Sequence, residues 1–245
     1  MGVLGSNKSA IWVCFALLFY LVTASGCITV GPIPMDTRVG DILIPEKIHL
    51  KAAIVTPDPP THRVYIDKLQ IIDRFEKGPR DKTEAYNETY LPLGKEFSKA
   101  AVEGFTQLFG HIASLRKSPS PGEYDVVIQA KIDELHIKDS LIAVSISGEH
   151  TRSVDFTIKW TINVLNAQGV PILTKRGTTP TKTIIAPFHA GFLFFIPSNP
   201  SEDLDKAKGV GLSEMVASLV REWVMMIASS SEMHNYSKQV LEPQK

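Results

Sequence analysis

An α+β two-layer sandwich, a mainly antiparallel sheet with two amphipathic helices packed on one face, is the fold this sequence predicts. Three observations predict it. Apolar and polar residues alternate strictly between Val154 and Val164, the period of a strand with one buried face. Two stretches, Leu93–Ile112 and Leu212–Ile227, repeat apolar residues every three or four positions, the period of a one-sided helix. These signals follow one another as two strands, a helix, three or four strands and a helix. One dry sheet face covered by both helices buries all of these apolar surfaces together.

The first strand is expected near Ile48–Val55, where Leu50, Ala52 and Ile54 are followed by Val55. A second is expected over His62–Asp73; Val64 and Ile66 give way to Leu69 and Ile71, a change of phase that predicts a bulge near Asp67. Arg74–Asn87 is almost devoid of apolar residues and rich in charge, so it reads as a solvated loop. In the first helix, Phe97, Ala101, Phe105, Leu108 and Ile112 share one face. Lys95, Glu96, Lys99, Glu103 and Gln107 take the others.

Ser118-Pro119-Ser120-Pro121-Gly122 closes that unit. Val126, Ile128, Ala130 and Ile132 then point to one side of a strand, and Leu135 and Ile137 reverse the phase, predicting a bulge near Glu134. A further strand is expected at Ser140–Ser147. The strictest alternation follows, with Val154, Phe156, Ile158, Trp160, Ile162 and Val164 inward. Asn166-Ala167-Gln168-Gly169 is a tight loop leading to a strand at Val170–Arg176, which completes an antiparallel meander. Leu212, Met215, Val216, Leu219, Val220, Trp223 and Ile227 mark the last helix, a stripe whose default reading is core packing and whose alternative is a partner-binding groove. Past Ser231 the tail is polar and is expected to fray.

The chain of 245 residues has 26 basic and 26 acidic side chains. No block of like charge occurs, which argues against nucleic acid as a partner, because that affinity comes from clustered Lys and Arg. Lys8 is the only charged residue among the first 26; the apolar run Ile11 to Val22 follows it, and small residues precede Cys27. Met1–Gly26 thus has the layout of a secretory signal. A membrane-spanning helix needs about 20 apolar residues, and Ile11–Ser25 offers 15 on a generous count. Met1-Gly2-Val3-Leu4-Gly5-Ser6 also fits the short myristoylation pattern on Gly2, and a cleaved signal with an incidental cysteine is a further alternative.

Ala24-Ser25-Gly26-Cys27 resembles the lipobox of bacterial lipoproteins. The resemblance implies lipidation of the Cys27 thiol, cleavage before it, and acylation of the new amino terminus with a palmitate-type chain. More than one acyl chain is what stable anchoring requires. Cys14 would be lost with the signal, leaving Cys27 without a disulfide partner. Ile28 is not the aspartate that marks inner-membrane retention in enteric bacteria, so the resemblance implies outer-membrane attachment facing the periplasm. The expected organisation is a signal peptide at 1–26, a lipidated proline-rich tether at 27–47, one α+β domain at 48–230 and a flexible tail at 231–245. The order and size of elements over 48–230 are similar to those of small periplasmic envelope lipoproteins, including the YajG-like group.

The chemistry motifs are absent: no G-x-S-x-G, phosphate loop, H-E-x-x-H or CxxC pair occurs, and the seven histidines show no ligand-like spacing. No catalytic residue, metal or cofactor is therefore expected. Gly209-Val210-Gly211 reads as a loop and helix start rather than a dinucleotide site. Asp133 and Glu134 are expected on opposite faces of a strand. Ile184 to Pro197 carries no charge and is rich in aromatics. It is either a buried strand arm or a contact surface formed by Phe188, Phe192, Phe194 and Phe195. The leading functional expectation is a membrane-anchored lipoprotein acting in envelope assembly, maintenance or transport through an envelope protein partner. The alternatives are a hydrophobe-binding module, with an apolar pocket near Trp160, Phe192 and Trp223, and an enzyme of unidentified chemistry.

Overall fold

The computed structural model describes residues 33–56, 63–70, 84–144, 149–189 and 200–242, all within one unit, Pro32–Lys245. The strands are β1 (Ala52–Val55), β2 (Arg63–Gln70), β3 (Glu84–Leu91), β4 (Ile112–Leu115), β5 (Val126–Val144), β6 (Glu149–Asn166), β7 (Pro171–Thr178) and β8 (Lys182–His189). The helices are α1 (Leu93–Phe109), α2 (Pro200–Ala228) and α3 (Ser231–Leu241). Together they form the expected α+β arrangement.

The main sheet runs β4-β1-β5-β6-β7, with β8 also paired to β6; β2 and β3 form a separate antiparallel pair. The meander β5-β6-β7 is antiparallel as predicted, but β1 is parallel to both neighbours, β4 and β5. The sheet is therefore mixed. α1 connects the strand region before it to β4: Gly110, at φ 75°, stops the helix and lets Ile112 start a strand instead of extending the helix. β5 is one strand where two were expected, and its register shifts between Ile132 and Glu134, where the bulge was predicted, and again between Leu141 and Ala143.

β7 and β8 lie end to end along one edge of β6. Their junction is Thr179-Pro180-Thr181, where the Thr179 N–H donates to Ile158 O at 2.9 Å and the Ile158 N–H donates to Thr179 Oγ1 at 3.0 Å. The threonine hydroxyl thus carries the ladder past a proline that has no N–H to give. The β6–β7 loop is the tight turn expected: Asn166 Oδ1 accepts from the Gln168 and Val170 N–H groups, and Gly169 has φ 79°.

The predicted inward residues of β5, β6 and α2 join one core with α1. Trp223 of α2 is fully buried between Phe97 of α1 and Trp160 of β6, in edge contacts with centroids 5.7 and 5.5 Å apart. Gly104 lets the helices close up, since a Cβ there would stand 2.5 Å from Val220 Cγ1.

Five readings are corrected. The bulge near Asp67 is absent, because β2 pairs β3 in unbroken register from Arg63↔Leu91 to Gln70↔Glu84. The same pairing places residues 84–87 in a strand, not a solvated loop; Tyr86, Thr89 and Tyr90 are strand-favouring types hidden by polar neighbours. Gly209 and Gly211 lie inside α2, which begins at Pro200. A Cβ at Gly209 would run into the Pro34 carbonyl oxygen, and one at Gly211 into Ile184 Cδ1. These glycines admit close neighbours rather than starting a helix.

The fourth correction is that the proline-rich stretch is packed from Ile33 onward, not extended as a tether to residue 47. Ile33, Thr37 and Val39 are buried. Glu103 Oε1 accepts from the Val39 and Gly40 N–H groups, both at 3.1 Å, Glu96 Oε2 from Thr37 N–H at 3.1 Å, and Gln107 Oε1 from Ile42 N–H at 2.8 Å. Arg221 donates to Val39 O from α2 at 2.6 Å. The polar stripe of α1 is thus a rail for this segment. The fifth is that the tail beyond 230 is helical. Ser230 caps α3 by accepting from Met233 N–H, Met233 is buried, and Tyr236 donates from its hydroxyl to Asp125 O at 2.9 Å.

Candidate functional site

With α1 and α2 sharing one core with the apolar side of the sheet, the opposite side is where polar side chains of adjacent strands meet. Gln129 and Lys131 of β5 stand opposite Asn163 and Thr161 of β6, and Thr161 in turn stands opposite Arg176 of β7. Lys131, Thr161 and Arg176 therefore share one cross-strand row. Together with Arg116, Lys117 and Ser118 beyond β4, they line an open groove of about 770 Å³. Among the described residues its lining holds four cationic side chains and one carboxylate, Asp133.

Asp133 is held inside this cluster. Lys131 Nζ lies 2.9 Å from Oδ1, and the Thr161 hydroxyl donates to Oδ2 at 2.6 Å. Partial burial pushes its pKa up; the hydrogen bonds from Thr161 and Lys131 and the charges of Lys131 and Arg176 outweigh it, leaving the carboxyl below its ordinary value. Gln129 donates to Ser118 Oγ at 3.2 Å, tying β5 to the segment after β4.

The bulge after Ile132 alters the expectation for Asp133 and Glu134. Ile132 and Leu135 are both buried, so both acids between them turn away from the core rather than to opposite faces. They do not cooperate. Glu134 binds Lys159 at 2.7 Å and His136 at 2.8 Å, and the Lys159 hydrogen bond foremost lowers its pKa, whereas Asp133 is engaged by Lys131 and Thr161. Among the described residues no three His, Cys, Asp or Glu side chains gather as a metal site.

Cys27, Phe192, Phe194 and Phe195 lie outside the described residues. Phe188 occupies β8 at the register position opposite His150. Of the apolar stretch, Ile184 is half-buried and Ile185 is 65% exposed on an edge strand, so the described part is neither fully core nor fully surface. Trp160 and Trp223 fill the sheet–helix interface by packing on one another. Among the described residues no helix is long and apolar enough to cross a membrane.

A smaller groove of about 500 Å³ runs between the docked N-terminal segment and α2, lined in part by Met35, Val210, Arg38, Lys206, Asp36 and Glu214. Its charges are mixed. The groove on the open sheet face leaves no local trace in the sequence because Lys131, Thr161 and Arg176 are 30 and 15 residues apart. Only strand register brings them into one row.

No protein family and no curated protein matches the chain. Among solved structures, it is similar to a protein described as a homolog of neuraminyllactose-binding hemagglutinin from Helicobacter pylori, at 11% identity and TM-score 0.45 over 85% of this chain and 100% of that one. It is also similar to uncharacterized lipoprotein B from Nitrosomonas europaea, at 12% identity and TM-score 0.38 over 79% and 96% of the two chains. A minor lipoprotein from Acinetobacter baumannii gives 10% identity and TM-score 0.31 over 75% and 94%. Likenesses this loose transfer no function.

Proposed function

We propose that this chain is a lipoprotein anchored through Cys27 in the outer membrane, on its periplasmic side, with a non-enzymatic role in envelope assembly, maintenance or transport through contact with another protein. The observation that carries this reading is Ala24-Ser25-Gly26-Cys27 directly behind an uninterrupted apolar run. The burial of Ile33 adds to it. Five residues separate Cys27 from Ile33, a reach of at most about 22 Å of extended chain, so a lipid on Cys27 would hold the packed body close to the bilayer. The aromatic stretch through Phe188, Phe192, Phe194 and Phe195 is the proposed contact surface for the partner.

The test is metabolic labelling with a radioactive fatty acid in a Gram-negative host. The parent chain incorporates label and is processed, Cys27→Ala does neither, and Cys14→Ala behaves as the parent. Labelling that survives Cys27→Ala overturns the anchor. Envelope cross-linking of the full chain tests the partner; recovery of no specific adduct, or of the same adducts after Phe192→Ser and Phe194→Ser, removes the contact role.

A further inference from the structure

We propose that the basic groove on the open face of the sheet binds an acidic oligosaccharide. This does not depend on the lipid anchor or the aromatic contact surface. The chain as a whole has equal numbers of basic and acidic residues, yet Arg116, Lys117, Lys131 and Arg176 converge with Asp133 as the single opposing charge among the described lining residues. That carboxylate is engaged by Lys131 and Thr161. Among the described residues, Lys117 and Arg176 form no ion pair, so positive charge is left over for a ligand.

The remaining lining selects among anions. At about 770 Å³ the groove has room for a molecule of several rings and is far larger than an inorganic ion needs. Among the described residues no aromatic side chain lines it, so these offer no stacking platform for a nucleobase. Val55 and Ala130 are the only apolar residues among the described lining, too little surface for an acyl chain. Gln129, Asn163, Thr161 and Ser118 offer amide and hydroxyl groups, donors and acceptors together, which suit sugar hydroxyls. Lys131 and Arg176 sit two strand spacings apart, about 10 Å, with Thr161 between them. A ligand that repeats its negative charge along a hydroxyl-bearing backbone meets that row at both ends; a lone anion meets only one.

The experiment is isothermal titration of the full chain in detergent at low ionic strength, with tetragalacturonate as probe and neutral maltotetraose beside it. Tetragalacturonate binds and maltotetraose does not. Lys131→Gln and Arg176→Gln each weaken binding about fivefold or more, the worth of one contact charge in a solvated groove. Asp133→Asn strengthens it, because the one repulsive charge is gone and Lys131 is released. Lys238→Gln, on α3, leaves it unchanged. Absence of tetragalacturonate binding, equal binding of maltotetraose, an equal loss with Lys238→Gln, or tighter binding of a short oligothymidylate at the same ionic strength would each overturn the proposal. Far-UV circular dichroism of each variant separates lost binding from lost fold.

Discussion

Replacing Gly209 with alanine sets two effects of opposite sign against each other. Alanine in a helix interior is favoured over glycine by about 1 kcal/mol, so a glycine with no special duty would give a more stable protein when replaced. Gly209 has such a duty. Its new Cβ would run into the carbonyl oxygen of Pro34 and stand 2.9 Å from Ile33 Cγ2 and 3.1 Å from the Pro34 carbonyl carbon. A backbone carbonyl cannot rotate aside as a side chain can, so the segment must move off α2. Overpacking of this kind costs about 3 kcal/mol at its usual upper range, and the net expectation is a loss of about 2 kcal/mol. The ceiling is set by complete undocking. Burial of Ile33 and Val39, which are 1% and 0% exposed, is worth about 1.5–3 kcal/mol each as an upper estimate.

Urea unfolding followed by the fluorescence of Trp160 and Trp223 reads this directly. With an m value of about 2 kcal/mol/M, the midpoint of Gly209→Ala falls by about 1 M. Hydrogen exchange adds the location: the amides of Thr37, Val39, Gly40 and Ile42, which bond to Glu96, Glu103 and Gln107, lose protection while those of β6 keep theirs. An unchanged or higher midpoint refutes the reasoning. So does a lower midpoint with these four amides still protected.

Two further outcomes concern α3 and Asp133. Ser230→Ala removes the hydroxyl that accepts from Met233 N–H at 3.2 Å and is expected to cost about 1 kcal/mol, with faster hydrogen exchange in the first turn of α3; exchange equal to the parent would dismiss the cap. Because the Asp133 carboxyl is lowered in the folded protein, the folded state binds fewer protons than the unfolded state, and its stabilisation is complete above the ordinary aspartate pKa and lost as pH falls through the lowered value. The stability difference between the parent and Asp133→Asn should therefore be under about 1 kcal/mol near neutrality, given the exposure of this side chain, and shrink toward acid pH. A difference that does not vary with pH counts against the assignment.

The parts of the fold that could be read from the sequence are those in which one residue's neighbours are close in the chain. Val154 to Val164 alternates because a single strand has a wet and a dry face, and the bulge near Glu134 shows as a phase change within a dozen residues. The parallel pairing of β1 with β4 and β5 leaves no such trace. These partners are about 60 and 74 residues away from Ala52, at Ile112 and Val126, and four residues are too few to show a period. The docking of residues 33–42 was equally hidden, since it rests on backbone N–H groups that any residue but proline supplies, met by Glu96, Glu103 and Gln107 of α1. Those side chains read as a solvated face because nothing local distinguishes a carboxylate facing water from one facing a peptide group. The groove is the same case once more: its cations became a set only when register aligned three strands.

The break between β7 and β8 bears on how this protein avoids its own kind. An open sheet offers two rims of unpaired peptide groups, each a template on which another extended chain could build. One rim here is β4, only four residues long. The other is the line of β7 and β8, where Pro171, Pro180 and Pro187 each withhold a donor. An incoming strand would find a ladder with missing rungs at both ends and in the middle, so the prolines by themselves discourage fibre-like growth from that rim.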